Sequence, residues 1–366
     1  MAPGRRDRQE MTTTAKVFPV QKVKAFCADV LTKTGLSADE SAIVTESLLC
    51  AELRGIYSHG VVRLETYIQR VETGVMKMSA PVTTEMDHGA VALLNANNTF
   101  GQVAGHRAMK LAIDKARQYG AGVVGVRNSN HFGVAAFYAG MAQQEDMVGC
   151  VFTHSSPAMA VFGTKTPLIG TNPIAVAIPA GDHLPIVLDM STSVVARGKI
   201  RYAALTGQGI PLGWARDPDG KPTQDAKLAL KGSLEPVGGA KGSGLSLIID
   251  LLCGILTNTI LTGGVKNVTD MSGPSMTGHF FSALDVSKFI DIKLFKANVD
   301  QVITNIKGFP PVTDGGKIFM PGEIELLAEE KRIKEGIPLD QEVLDLLNKV
   351  AIRYGASPLT NGASGR

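Results

Sequence analysis

Residues 54 to 63 read Arg54-Gly-Ile-Tyr-Ser-His-Gly-Val-Val-Arg63. A guanidinium presents a planar fork that matches a carboxylate, and an imidazole titrates near neutral pH. The set suits a small organic acid. Arg63 would hold its carboxylate and His59 would meet the reacting oxygen, with Ser58 and Arg54 as further polar contacts. Arg54 and Ser58 are four apart, as are His59 and Arg63, so on a helix each pair shares a face. A solvated arginine pair beside a capping histidine has the same spelling.

Other stretches place polar groups where α/β proteins gather chemistry. In Asn128-Ser-Asn-His-Phe-Gly133, His131 sits between a strand end and a helix start, as a general acid/base or as a cap. Asp189 closes the apolar run Ile186-Val-Leu-Asp-Met-Ser191, where an acid binds a ribose hydroxyl, orients a histidine or caps the following helix. Gly238-Gly-Ala-Lys-Gly-Ser-Gly244 leads into an apolar helical run over 244–256, so backbone N–H groups and Lys241 suit an anion. It lacks the spacing of an ATP loop. Gly120-Ala-Gly-Val-Val-Gly125 spells the dinucleotide fingerprint, but a helical pattern precedes it and a strand follows, the reverse of what that fingerprint needs. It reads as a helix stop and a strand start. Cys150 and His154 have no second pair of ligands, and no metal is expected.

The elements that must position these residues fall into two textures. Apolar residues recur at helical spacing over 20–34, Ser37-Ala-Asp-Glu40 is a capping box opening a helix to Leu53, and residues 66–73 read as helix closed by Gly74. From Pro81 short β-branched runs alternate with helices: strands over 91–95, 122–127, 148–153, 174–178, 184–188 and 280–284, helices over 105–119, 134–143, 244–256 and 299–306. Helices over 324–335 and 341–351 close the chain, while 207–235 reads as loop-rich. The expected organisation is a polar tail over 1–14, with Met11 as an alternative start, a helical domain over 15–80 completed by 325–366, and an α/β region over 81–324.

At 366 residues the chain is long enough for two or more domains, and 44% hydrophobic with 19% charged residues is a globular balance. A net charge of +3 with no Lys/Arg stripe argues against nucleic acid, and no apolar run reaches the length of a membrane span. Four dispersed cysteines without a CxxC pair suit a reducing cytoplasm.

Five stretches, in this order, resemble the type-2 malate/lactate dehydrogenases: Arg54 to Arg63 as quoted, Asn130-His-Phe-Gly133, Gly170-Thr-Asn-Pro173, Leu188-Asp-Met-Ser191 and Gly238-Gly-Ala-Lys-Gly242. The resemblance runs over about 20–354, and the family includes ureidoglycolate, sulfolactate and diketogulonate enzymes and cyclic imino-acid reductases. It implies an NAD- or NADP-dependent oxidoreductase on a non-Rossmann fold, a mixed sheet flanked by helices, working as a homodimer. By that resemblance His131 is the proton donor/acceptor, and His59 and Arg63 lie at the substrate. Ser155, Asp189, Met190, Ser191, Lys241, Gly322, Glu323 and Ile324 contact the cofactor. Two positions depart from the pattern. Ala240 stands where many members have histidine, and Ser156 stands where some carry an acid, which leaves NADP open.

The reading is therefore an oxidoreductase interconverting a small 2-hydroxy acid and its 2-keto acid. The alternatives are a reductase of a cyclic imino acid or a diketogulonate-like substrate, an acyl- or phosphoryl-transfer enzyme using the glycine loop, and a metabolite-binding protein without catalysis.

Overall fold

The computed structural model describes residues 15–360. The tail expected over 1–14 lies outside them. The chain divides into two compact units, one containing the described residues up to Ile68 together with those from Leu327 on, the other Gln69–Leu326.

In the first unit, the helix Val20–Lys33 turns Val23, Phe26, Cys27, Val30 and Leu31 inward. Gly35 follows in the left-handed region at φ +106°, where a glycine stops a helix without steric cost. The Ser37 hydroxyl then accepts from the Glu40 backbone N–H and donates to its carboxylate, opening the helix Ala38–Leu53. The two helices pack on each other. The strand Lys16–Phe18 pairs antiparallel with Ile337–Leu339, and the last helix, Gln341–Arg353, buries Leu344, Leu347, Val350 and Ala351.

Residues 54–63 do not form the single helix on which their spacing would align side chains. The helix ends at Leu53, Gly55 turns left-handed at φ +79°, Tyr57–His59 form one 3-10 turn, and a new helix, Arg63–Glu72, begins at Arg63 itself. Gly60 has no room to be anything else, because a Cβ there would lie 1.9 Å from the Glu52 carboxylate. The glycines override the i, i+4 alignment.

The second unit is built on a seven-stranded mixed sheet. In chain order its strands are β1 (Thr83–His88), β2 (Val91–Asn95), β3 (Ala121–Ser129), β4 (Met147–Thr153), β5 (Ile174–Ile178), β6 (Ile186–Met190) and β7 (Thr277–Asp285). They lie side by side as β1-β2-β3-β7-β4-β5-β6, with β2 and β3 parallel and every other pair antiparallel. The helix Gly101–Tyr119 connects the parallel pair, as such a crossover requires. It presents Ala104, Ala108, Ala112 and Ala116 to the core, with Tyr138, Val124, Val151 and Phe281 in the same buried cluster. Small residues let helix and sheet approach closely: a Cβ on Gly122 would sit 1.9 Å from the Ala112 carbonyl oxygen. That contact explains the misleading glycine spacing after Tyr119. Gly120 is a left-handed helix stop and Gly122 is a packing glycine, with the helix before and β3 after.

One expectation holds with additions and one fails. The stretch 207–235 is loop-rich, with short elements inside it. It contributes the helix Ala226–Lys231 and the short strands Ala215–Arg216 and Ser233–Leu234 to a second, four-stranded sheet around Met159, Ile169 and Ile200. Strands of two residues carry too little alternation to be seen in sequence. The glycine loop also ends earlier than its spelling suggests. The helix Ala240–Asp250 starts at Ala240, so Lys241, Gly242 and Ser243 lie in its first turn. Gly242 permits this, since a Cβ there would meet the Val237 carbonyl oxygen at 2.0 Å.

Candidate active site

The first unit gathers one group of the expected residues. Arg54 caps the helix end and its Nε donates to Glu329 at 2.8 Å. Tyr57 is held by Arg332, whose guanidinium lies 4.8 Å from the ring centroid and donates to the phenol oxygen. On the 3-10 turn that follows, the Ser58 hydroxyl and His59 Nδ1 are 2.9 Å apart. Arg63 Nε donates to the Ser58 carbonyl at 2.5 Å, so histidine, serine and arginine form one linked set. Desolvation, with the Arg63 charge beside it, lowers the His59 imidazole to about 4, which leaves it neutral at physiological pH.

Sequence reasoning missed Glu52. It is buried, accepts from the Val61 N–H at 3.0 Å and seats the whole turn. Burial raises it to about 7, against the opposing Val61 hydrogen bond and Arg332 charge. Its signal was an acid inside the apolar run Leu48-Leu-Cys-Ala-Glu-Leu53.

The second unit gathers the other group at one end of the large sheet. The ends of β3 and β4 flank the start of β7, with His279 opposite both Val126 and Thr153. The loops carrying His131 and Ser155 therefore leave the sheet at the same end. Met190, at the end of β6, lies opposite Ile174, which in turn lies opposite Phe152 near the end of β4, so Asp189, Met190 and Ser191 reach that end too.

Hydrogen bonds stitch these loops together. The Ser155 N–H donates to Asn172 Oδ1 at 2.9 Å, Thr192 N–H to the Thr171 carbonyl at 3.0 Å, and Val237 N–H to the Thr192 carbonyl at 2.9 Å. Asp189 Oδ2 accepts from the Ala136 N–H at 2.8 Å. Asp189 thus caps the helix Ala135–Gln144, which precedes it in the chain, rather than one that follows. Pro321 accepts from the Val187 N–H on β6, and Gly322 turns at φ +79° with Val187 so close that a Cβ would lie 2.4 Å from its carbonyl oxygen. Glu323 opens the helix Glu323–Glu335 and pairs with Lys307, which holds its carboxylate below the usual range against the opposing effect of burial.

His131 is partly exposed, and its Nδ1 lies 3.4 Å from the Gly133 N–H. Its backbone is fixed from below, where Gly101 approaches the Asn130 and His131 carbonyls so closely that a Cβ would stand 2.3 and 2.6 Å away. Phe132 is buried and stacks on His279 at 4.5 Å between centroids, anchoring the loop on the other side.

The residues at this end fit a dinucleotide. Gly238 and Gly239 are both left-handed, a Cβ on either would meet open space, and they expose the N-terminus of an eleven-residue helix whose first turn carries the exposed Lys241. Helix N-termini and glycine backbones of this kind accept phosphate oxygens. Among the described residues no group of three or more His, Cys, Asp or Glu side chains is placed to hold a metal ion.

A mixed, largely antiparallel sheet thus collects a histidine, serines, an aspartate and a glycine-led helix at one end, an arrangement outside the parallel Rossmann class. Known proteins share it. Sulfolactate dehydrogenase from Methanocaldococcus jannaschii superposes with a TM-score of 0.88 at 36% identity, over 93% of this chain and 98% of that one. In sequence, the malate/(S)-sulfolactate dehydrogenase of Methanothermus fervidus is 39% identical over 92% of this chain and 97% of its own length. The malate dehydrogenase of Pyrococcus abyssi is 40% identical over 93% and 96%. Further off are an Escherichia coli ureidoglycolate dehydrogenase (NAD(+)), 31% identical over 87% and 90%, and a Chromohalobacter salexigens (2R)-3-sulfolactate dehydrogenase (NADP(+)), 33% identical over 80% and 90%. A Pseudomonas syringae delta1-piperideine-2-carboxylate reductase superposes with a TM-score of 0.83 at 28% identity, over 92% of this chain and all of that one. The model of the malate/L-lactate dehydrogenase family matches residues 18–348, and the chain belongs to that family. It is an oxidoreductase of the 2-hydroxy acid type.

Proposed function

We propose that the protein uses NAD or NADP to interconvert a small 2-hydroxy acid, of the malate, lactate or sulfolactate kind, and its 2-keto acid. The observation that carries the reading is the convergence of the His131, Ser155 and Asp189 loops and the glycine-led helix at one end of the sheet.

In this reading Arg63 holds the substrate carboxylate. Its Nε is already tied to the Ser58 carbonyl, which aims the two outer nitrogens of the fork, the geometry a carboxylate accepts best. His131 moves the proton at the substrate oxygen, donating it in reduction and removing it in oxidation. His59, neutral and turned by Ser58, hydrogen-bonds the same oxygen or the carboxylate. Arg54, engaged by Glu329, holds the turn in place more than it meets substrate. Ser155, Asp189, Met190, Ser191, Lys241, Gly322, Glu323 and Ile324 line the dinucleotide. The nicotinamide, when bound, supplies the hydride chemistry, and the protein supplies orientation and electrostatics.

The protein acts as a homodimer in the cytoplasm. The helix from Ala240, with the π turn Leu251–Ile255 that extends it, exposes Leu245, Ile248, Leu251 and Ile255, a spacing that puts them on one apolar face. None of the four cysteines is in a disulfide, which suits a reducing compartment, and no helix among the described residues is long and apolar enough to cross a membrane.

The fold neighbour acting on piperideine-2-carboxylate keeps a second reading open: a cyclic imino acid offers the same carboxylate to Arg63. Titration with NADH and NADPH, followed by nicotinamide fluorescence, tests the cofactor assignment. Enhancement or energy transfer with either one is expected, and no response to both would remove the reading.

A further inference from the structure

The loop bearing Ser155 is held by a side chain, and that side chain is held in turn by a buried acid that no motif marks. Asn172 is fully buried. Its Oδ1 accepts from the Ser155 N–H at 2.9 Å. Its Nδ2 donates both to the Ser246 carbonyl at 2.9 Å and to Asp250 Oδ2 at 3.1 Å. Asp250 is itself only 2% exposed, and its other oxygen accepts from Thr262 Oγ1 at 2.8 Å. Ser246 Oγ reaches back to the Gly170 carbonyl at 3.0 Å. Gly170 lies so tight against this junction that a Cβ would stand 2.3 Å from Ser155 Oγ and 2.5 Å from Asn172 Oδ1.

An amide has two donors and one strong acceptor site to aim, and it can be placed either way round. Here the choice is forced. Ser246 and Asp250 take both N–H groups, so the oxygen alone faces Ser155. Without the Asp250 oxygen, one N–H would be left unpaired in a buried site, and the carboxamide would keep two of its three anchoring hydrogen bonds. Turning over would set its oxygen against the Ser246 carbonyl and its NH2 group against the Ser155 N–H, so the loss loosens the anchor of the loop rather than reversing it. Asp250 also closes the α-helix that begins beside Gly239, just where it widens into a π turn, and such bulges are frequent at functional sites. The same helix thus carries Lys241 at its start and sets Ser155 from its end.

We infer that Asp250 and Asn172 are a positioning pair: Asp250 anchors the buried amide of Asn172, and Asn172 fixes Ser155 for contact with the dinucleotide. This rests on the reading that Ser155 lines the cofactor. Neither residue touches substrate.

The test is nicotinamide fluorescence titration of the full chain with NADH and NADPH, alongside steady-state kinetics and thermal melts. Asp250→Ala should raise the dissociation constant of the bound dinucleotide tenfold or more, with the keto-acid KM at saturating cofactor changed less than twofold. Asp250→Asn keeps one acceptor oxygen and should recover most of that loss, to within three- to fivefold of wild type. Thr262→Val removes the other Asp250 contact, which does not lead to Ser155. It should lower the melting temperature while leaving cofactor affinity within twofold. Asn172→Ala combined with Asp250→Ala should be no worse than Asn172→Ala alone, because the two act in series.

A wild-type protein that binds the dinucleotide, with Asp250→Ala binding it equally well, overturns the inference alone. If Asp250→Ala does not fold, Asn172→Ala with unchanged affinity overturns it as well. A wild type that binds neither dinucleotide overturns the cofactor reading, and this inference falls with it.

Discussion

The two clusters of candidate residues are made of different material. In the first unit the candidate chemistry sits in polar side chains: Arg63, His59 and Arg54 on a turn seated by the buried Glu52. In the second it sits mostly in backbone: left-handed glycines at 238, 239 and 322, a helix N-terminus, and loops tied N–H to carbonyl. The difference follows from the ligand each would meet. A small acid offers few atoms, so one aimed guanidinium must supply most of its binding. A dinucleotide is long and polar, and many individually modest main-chain contacts distribute its recognition. Substitutions should therefore act steeply and locally in the first cluster, and through loop geometry in the second.

The sharpest contrast should come from Arg63→Ala. Losing the carboxylate fork should lower kcat/KM on the order of 10²–10³, with the NADH or NADPH dissociation constant unchanged. Equal losses in both would mean the clusters are not separable in this way. Gly322→Ala is the converse probe. With φ +79° and the Val187 oxygen 2.4 Å from the new Cβ, the chain must shift, costing more than about 1 kcal/mol of stability. We expect weaker cofactor binding, by roughly tenfold, with the keto-acid KM preserved.

The pH dependence should separate the clusters at the alkaline end, where Glu52 belongs to the first; at the acid end His279, lowered to about 3 by burial, adds a contribution from the second to that of His59. Glu52 is raised to about 7 from 4.5, so its contribution is fully present below pH 4.5 and is lost as pH rises through 7. His59 is lowered to about 4 from 6.5, so its contribution is present above pH 6.5 and is lost as pH falls toward 4. Each of these two shifts corresponds to about 3 kcal/mol at most. Chemical denaturation across pH 4–8 should show stability declining at both ends, and Glu52→Gln should flatten the alkaline decline alone. An alkaline decline that persists in Glu52→Gln would place its source elsewhere. The smallest effect on chemistry is expected from Ile248→Glu. It should shift mass in light scattering from dimer to monomer with little change in cofactor affinity, and an unchanged mass would move the interface to another face.

Much of this was legible in the sequence, for reasons that can be named. The helix from Val20 and the capping box at Ser37 are local, and periodicity and capping chemistry suffice for them. The order of helix and strand rules out the fingerprint spelled after Tyr119, and the close approach of Gly122 to Ala112 gives the steric reason for its glycines. The candidate site was legible as motifs. Its wiring was not. That Asp189 caps a helix from fifty residues earlier, or that Asn172 joins Ser155 to Asp250, depends on strand order, which no local pattern encodes. Glu52 was hidden because an acid in an apolar helix reads as a solvated face until its burial is known. Arg54 and Ser58 do not align because the left-handed Gly55 between them ends the helix.

The most direct measurement is near-ultraviolet absorbance of the reduced nicotinamide during turnover, with NADH and then NADPH, in wild type, His131→Ala and His59→Ala. The panel is oxaloacetate, pyruvate, sulfopyruvate, diketogulonate and a cyclic imine, with ureidoglycolate run in reverse. The account predicts oxidation with at least one 2-keto acid, and a loss on the order of 10²–10⁴ in kcat for His131→Ala, larger than that for His59→Ala. Turnover by His131→Ala within about tenfold of wild type would contradict it and pass the proton-transfer role to His59.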